Sequence, residues 1–373
     1  MNLDHLLSTK DLIPPLDYTE TQIWARQIGD WTGLAIYPRS IAVAHHALFC
    51  LGRDTEEKRL VILSQHAPVA TEFAGEDRIV QFGGDNLALK QCPTSAANVQ
   101  ALHRALPFTK PRRLGLATSA GCGDRLGLAT PGHIQAIRGT GIAPILAQQS
   151  MRENARTYRT PQEVIDDATW GVFQEGWREG YGADADHLKT PADIDICVAA
   201  GYTFFTIDPG DHVNNEAHTA PSDRLNEIVA ELPWDVLETT SADLSRRYLD
   251  RTFEIADDFV ISFSEETLAR AAGKYGQAIA HTALMYRHLA ELTENFELEM
   301  SVDETETVTS EEEHFFIVSE LKRLGVQWVS LAPRYVGRFE KGVDYIGDLE
   351  EFEASFARHA AIARHAGPYK LSL

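Results

Sequence analysis

The chain has 373 residues, 44% of them hydrophobic and 24% charged, with 26 glycines and 16 prolines. These values exclude disordered, collagenous and low-complexity classes and leave room for one large or two modest domains. The balance of 34 Lys and Arg against 55 Asp and Glu gives a net charge of −21, a field that repels nucleic-acid phosphate and anionic lipid and speaks against both as partners.

Four widely spaced cysteines, Cys50, Cys92, Cys122 and Cys197, form no CxxC pair. A thiolate zinc knuckle is therefore not expected, and the thiols read as reduced and cytoplasmic. The first residues lack the basic and apolar regions of a secretory signal. No window approaches the ~18 apolar residues of a membrane span.

Residues 1–110 read as a small N-terminal α/β region. Apolar runs lie at 40–51 (SIAVAHHALFCL), 59–63 and 78–82. His45 and His46 follow a buried-looking strand, and neighbours on a strand face opposite ways, so a structural role is expected for both. The two prolines and three cations of 106–113 (LPFTKPRR) resemble a linker.

From residue 111 to 373 short apolar runs alternate with helical stretches. Strands are expected at 114–118, 143–147, 181–184, 203–207, 296–302, 327–332 and 369–373. Helices are expected at 131–138, 161–179, 191–200, 266–292, 311–324 and 349–365. Thr130, Thr160 and Thr190 each precede a proline, and Ser310 precedes three glutamates. These are N-cap signatures. Strand–helix alternation implies a parallel sheet.

Polar clusters follow the strands, as in the loops at the C-terminal face of a (β/α) barrel. No dinucleotide or phosphate loop and no nucleophile elbow is present. The expected fold is therefore α/β, a parallel TIM-like barrel. Seven strands with the last at the chain end suggest a barrel lacking its final strand, hence a fragment.

Three clusters offer chemistry. In 182–187 (GADADH), Asp184 and Asp186 share a face, and His187 turns the other way or starts the loop. Imidazole and carboxylate suit a divalent cation of the zinc or manganese kind, acid–base work, or a hydrogen-bonded loop. In 296–306 (FELEMSVDETE), Glu297, Glu299 and Ser301 share a face that points inward in a barrel. Burial would raise a carboxyl there and suit a general acid or base. In 206–212, Asp208 and His212 flank a Pro-Gly turn and read as turn chemistry or substrate contacts. Gln149 and Arg152, with Arg125, supply groups for hydroxyls and a carboxylate. His281 with His288, and His359 with His365, read as helix-packing residues.

Six blocks taken in order resemble the tagaturonate/fructuronate epimerase family: GDRLGLATPGHI (123–134), AQQSMRENARTYRT (147–160), 166–191, FFTIDPGDHV (204–213), SVDETETVTS (301–310) and FEKGVDYIGDL (339–349). The resemblance implies a metal-dependent barrel that interconverts two sugar acids. It places a proton acceptor on Asp186, a proton donor on Glu299 and a metal ligand on His187, with Glu340 the chemical choice for a further ligand. Arg125, Gln149, Arg152, Asp208, His212 and Lys341 are the expected substrate contacts. The family pattern continues past Leu373 to a metal-binding His.

The two uronates differ at a carbon β to the ketone, whose C–H the carbonyl does not acidify. Retro-aldol cleavage and re-closure, or direct proton exchange on two faces, remain as routes. The alternatives are a class II-type aldolase and an inactive barrel that only binds.

Overall fold

The computed structural model describes residues 3–65, 69–340 and 342–373. Contacts divide the chain into two compact units, Met1–Asp184 with Ala200–Tyr202, and Ala185–Ala199 with Thr203–Leu373.

The first unit opens with helices α1 (Leu3–Leu7) and α2 (Tyr18–Thr32). Six strands follow: β1 (Ala35–Ile36), β2 (Ala42–Ala44), β3 (Ala47–Arg53), β4 (Lys58–Ser64), β5 (Glu76–Phe82) and β6 (Asp85–Pro93). All their pairings are antiparallel, in the order β1-β3-β4-β6-β5 with β2 on β3. Helix α3 (Ala96–Ala105) comes next.

The period of two explains why β3 and β4 read as unbroken apolar runs. Phe49, Leu51, Leu60 and Ile62 pack with Val99 and Leu102 of α3. Leu48, Cys50, Val61 and Leu63 face the other way, onto Leu3 and Leu6 of α1 and Trp24 and Ile28 of α2. Both faces of these central strands are covered, so neither needs polar residues.

The apolar run 40–51 divides into β2 and β3, with the histidine pair following β2 as read, and one expectation for this region is corrected. His45 and His46, at φ +52° and +61°, form a two-residue turn that joins β2 to β3 with Ala44 opposite Ala47. Positive φ at both central residues is the hairpin geometry that matches strand twist. The segment 106–113 is not a solvated linker: Leu106 and Thr109 are buried, and the Tyr181 hydroxyl donates to the Thr109 carbonyl at 2.8 Å.

The remainder alternates as expected. It runs β7 (Ser119–Gly121), α4 (Thr130–Ile137), β8 (Ala143–Ser150), α5 (Met151–Thr157), α6 (Pro161–Glu175), β9 (Gly182–Leu188), α7 (Pro191–Ala200) and β10 (Phe204–Ile207). Then come α8 (Ser222–Ala230), α9 (Ser241–Tyr248), β11 (Thr252–Ala256), β12 (Phe259–Ser262), α10 (Glu265–Leu292), β13 (Glu297–Ser301), α11 (Glu311–Arg323), β14 (Ser330–Ala332), α12 (Leu349–Ala366) and β15 (Lys370–Leu371).

Among the described residues, a seven-stranded sheet has the order β15-β14-β13-β10-β9-β8-β7. The registers of β7 with β8, β10 with β13, β13 with β14 and β14 with β15 are parallel. The class is therefore α/β, with a parallel sheet, a six-stranded antiparallel sheet and the two-stranded antiparallel β11–β12 pair among the described residues. Strand order follows chain order without reversal, unlike a doubly wound sheet with its switch point. The path has two ends, β7 and β15, so the described strands do not close a ring.

Capping chemistry starts the helices. Thr160 with Glu163 and Ser310 with Glu313 make reciprocal capping boxes, and Thr190 pairs with Asp193 in the same way. Thr130 is not a cap. It lies inside α4, and the exposed N–H groups there are taken by the Asp124 carboxylate, which accepts from Leu126, Leu128, Ala129 and Thr130.

The strand expected at 114–118 is absent. Gly115, at φ +60°, sits in a turn closed by Ala117 N–H donating to Leu114, and the strand forms at Ser119. Helices α5, α8 and α9 and the β11–β12 hairpin have no counterpart in the sequence reading.

Candidate active site

In the second unit the parallel register assembles a polar row. Thr206 pairs with Glu299, Glu299 with Ser330, and Ser330 with Lys370. Partners at one level of a parallel sheet point to the same face. The next level, Ile207, Met300, Leu331 and Leu371, points to the other face, where Ile207, Met300 and Leu331 are fully buried. The alternation read in 296–302 is thus a polar face and an apolar face of one strand.

Glu299 lies in the middle of this row and is 8% exposed. Burial pushes its carboxyl up to about 7; the Ser330 hydroxyl and the Lys370 charge oppose the rise, and Asp186 and Asp303 add to it. Asp186 and Glu299, 113 positions apart in the chain by their numbers, therefore act on each other electrostatically.

His187 stands beside Asp186 at the end of β9, at φ +52°. The left-handed backbone breaks the strand alternation, so His187 does not turn away from its neighbour. Its Nε2 is 3.8 Å from Asp186 and its Nδ1 3.8 Å from Asp208. Burial works against a charged imidazole, but Asp186, Asp303, Asp208 and Glu304 outweigh it and hold the pKa above the ordinary value. Buried Nδ1 has no hydrogen-bond partner.

Asp208 is buried, accepts the Gly210 N–H at 2.8 Å and lies 3.7 Å from the Lys189 ammonium. Lys189 also reaches Asp211 at 3.0 Å. His212 stacks on His281 of α10, with ring centroids 4.1 Å apart. His281, read from sequence as packing, therefore meets the loop after β10; burial and the neighbouring His212 lower its pKa. His288 likewise makes a polar contact, Nε2 to Asp195 at 2.7 Å.

The loop after β13 is held from below. The buried Lys274 ammonium contacts Glu313 at 2.9 Å and the Val308 carbonyl at 3.0 Å, and the Tyr275 and Thr309 hydroxyls are 2.9 Å apart. Ser301 donates to Asp303 within the same loop. After β14, Tyr335 is buried, and that burial, with the charge of Glu299 adding to it, raises its hydroxyl pKa. Neither Lys274 nor Tyr335 was singled out in the sequence; a lone Lys in a helix and a lone Tyr in a loop carry no pattern.

The expected contacts of the first unit lie apart in kind. Arg125 is exposed and ion-paired with Glu153, Arg152 is exposed, and Gln149 is buried with its amide N–H on the Gln148 carbonyl at 2.6 Å. Glu340 is exposed in the loop between β14 and α12 and is not among the four acidic groups acting on His187. Lys341 lies outside the described residues.

Asp186, His187 and Asp208 gather imidazole and carboxylate at strand ends, with a carboxyl near neutrality beside them. That arrangement suits proton transfer to and from a polyol. A model of the tagaturonate epimerase family, UxaE, matches residues 37–373. The chain belongs to that family. It is an isomerase of the carbohydrate epimerase class. It is 42% identical over 341 residues to the tagaturonate/fructuronate epimerase of Thermotoga maritima, covering 91% of this chain and 68% of that one. The native crystal structure of fructuronate-tagaturonate epimerase UxaE from Cohnella laeviribosi is similar, with a TM-score of 0.82 at 38% identity over 94% of this chain and 69% of that chain. A glycerol complex of the same protein aligns equally well, over 95% of this chain.

Proposed function

We propose that this epimerase interconverts D-tagaturonate and D-fructuronate by opening and re-forming a carbon–carbon bond, with Asp186 and Glu299 as its proton-handling pair. The substrate is carried over from the 42% identical relative of that name. The observation that carries the chemistry is the placement of Glu299, buried in a polar row, near neutral in pKa and within the field of Asp186.

The inverted carbon bears a hydroxyl and lies β to the ketone. Asp186 takes the proton of that hydroxyl. The bond between this carbon and the one α to the ketone then cleaves, leaving an aldehyde and an enediolate. Rotation of the aldehyde presents its other face, the bond re-forms, and Glu299 returns a proton to the new alkoxide. Atoms and charge balance, because one proton is taken and one given, and the pair is reset when Asp186 passes its proton to Glu299 through solvent. Polar groups of the Glu299 row hold the substrate while both fragments stay bound.

The donor chemistry at His187 fits a divalent cation. Its Nδ1 is buried without a hydrogen-bond partner and faces Asp208. Among the described residues no three His, Cys, Asp or Glu side chains converge as a complete ligand set. His187 and Asp208 are the residues that would hold it, while Glu340, the further ligand expected from sequence, is exposed in the loop between β14 and α12. A bound cation supplies positive charge where negative charge develops at the ketone oxygen.

The parallel strands are read as part of a TIM-type barrel, supported by their strictly sequential order. The chain is read as cytoplasmic, in line with four free thiols.

The test is to incubate the protein with D-tagaturonate in D2O and follow products by NMR. The proposal expects D-fructuronate without deuterium at the inverted carbon. Deuterium there means direct proton exchange, and release of two three-carbon fragments means an aldolase. Dialysis against a chelator should abolish turnover, and zinc or manganese should restore it; unchanged turnover at negligible metal content refutes the cation.

A further inference from the structure

Tyr335 occupies an unusual position for a tyrosine. It lies three residues beyond the C-terminal end of β14, the strand whose Ser330 pairs in register with Glu299. Strand C-terminal ends are where side chains of a parallel sheet meet substrate. The residue is 4% exposed, and its hydroxyl is buried without a hydrogen-bond partner.

Its ring is locked from several sides. His359 packs edge-on with centroids 5.4 Å apart, Phe356 lies at 5.6 Å and Phe352 at 5.9 Å, all from α12. Those neighbours would hold a phenylalanine equally well. The hydroxyl thus adds nothing to this packing and carries the cost of an unsatisfied buried polar group, about 1–3 kcal/mol. A partner that arrives with a ligand accounts for such a group. Through β14 the residue belongs to the same sheet neighbourhood as Glu299, whose partner in register is Ser330, and the charge of Glu299 also acts on this hydroxyl.

We propose that the Tyr335 hydroxyl is a substrate-binding hydrogen-bond donor that meets the sugar oxygen which Glu299 protonates. This rests on the reading of Glu299 given above. On substrate binding, the phenolic O–H donates to the hydroxyl or alkoxide oxygen at the inverted carbon. No proton is transferred; the donor stabilises charge on that oxygen while the carbon–carbon bond is open. Because the oxygen is anionic only during reaction, the bond is stronger then than in the bound ground state. The fixed ring means that the donor needs no reorganisation.

The experiment is Tyr335→Phe in the metal-replete protein, beside Glu299→Gln as control. The proposal expects kcat to fall ~10-fold or more with little change in KM, the pattern of an interaction made chiefly in the transition state. It expects a melting temperature equal to or above that of the parent, since only an unsatisfied hydroxyl is lost, and an altered pH profile near neutrality, since Glu299 loses a polar neighbour. Parental kcat and pH profile in Tyr335→Phe, with Glu299→Gln inactive, would overturn this proposal alone. Lower activity with a lower melting temperature and an unchanged pH profile would also overturn it, in favour of a packing role. An active Glu299→Gln would overturn the reading on which it rests.

Discussion

Glu299 combines two properties that pull in opposite directions. Its buried carboxyl holds a proton up to about 7, whereas the ordinary value is 4.5. Between those values the folded state binds more protons than the unfolded one, so this group costs stability as pH rises from 4.5 through 7. Glu299→Gln should therefore melt higher than the parent at pH 8.5, by roughly 1–3 kcal/mol, and equally at pH 4.5. The same change should cut turnover by ~10²-fold or more, as should Asp186→Asn. As a proton donor, Glu299 should also make parental activity decline above pH 7. A Glu299→Gln variant with parental turnover, or one no more stable in alkali, would show that the carboxyl is neither the donor nor raised. Asp186 and Glu299 were both legible in the sequence, through strand-end position and alternation. Tyr335 and His281 were not, because their roles depend on which distant loop lies beside them.

Elements were read best where local chemistry is strong. Capping boxes at Thr160 and Ser310 and the long apolar face of α10 placed the helix starts within a residue, whereas α6 ends at Glu175, four residues before the expected end at 179. The β2–β3 turn was missed because two histidines stand where Asn-Gly is usual. A non-glycine residue in the left-handed region pays about 1–2 kcal/mol, so exposed His46→Gly should raise unfolding free energy by about 1 kcal/mol in a denaturant titration. No gain would indicate that the imidazole makes a compensating contact.

Helices α11 and α12 are joined by a second device that the sequence hid. His314 Nδ1 lies 2.7 Å from His359 Nδ1, and His314 Nε2 2.5 Å from the Tyr369 hydroxyl, all buried. Burial lowers both imidazoles, His359 to about 4 and His314 well below its usual value, with the pair opposing each other's charge at His314. The unfolded chain protonates them near 6.5. Stability is thus intact above 6.5 and is lost as pH falls from there towards 4, by up to ~3 kcal/mol at His359. In His359→Gln the stability at pH 7.5 should be lower, but its decline between pH 7 and 5 should be smaller. An equal decline in both proteins would assign the acid sensitivity elsewhere.

On the scale of the whole molecule, 21 excess negative charges repel one another. Raising salt from ~10 to ~150 mM shortens the screening length from about 30 to about 8 Å. The melting temperature should therefore rise with sodium chloride at pH 8 and rise less at pH 5, where carboxylates are partly neutral. A salt-independent melting temperature would mean that local ion pairs dominate the electrostatics.

What the sequence determined by itself was everything set by neighbours along the chain. This covers the strand–helix alternation, the caps at Thr160, Thr190 and Ser310, the two faces of β13 and the DADH strand end, because periodicity and capping act within one or two turns. The family blocks also belong here, since they are linear. What tertiary structure decided was each property that depends on register and burial. Ser330 and Lys370 join Glu299 only because β13, β14 and β15 pair in parallel at that level. Glu299 reaches neutrality only because that row is buried near Asp186 and Asp303. His187 comes to face Asp208 because its backbone turns left-handed at the end of β9. Desolvation and long-range pairing have no signature in the local pattern, so the candidate residues could be named in advance while their charge states and partners could not.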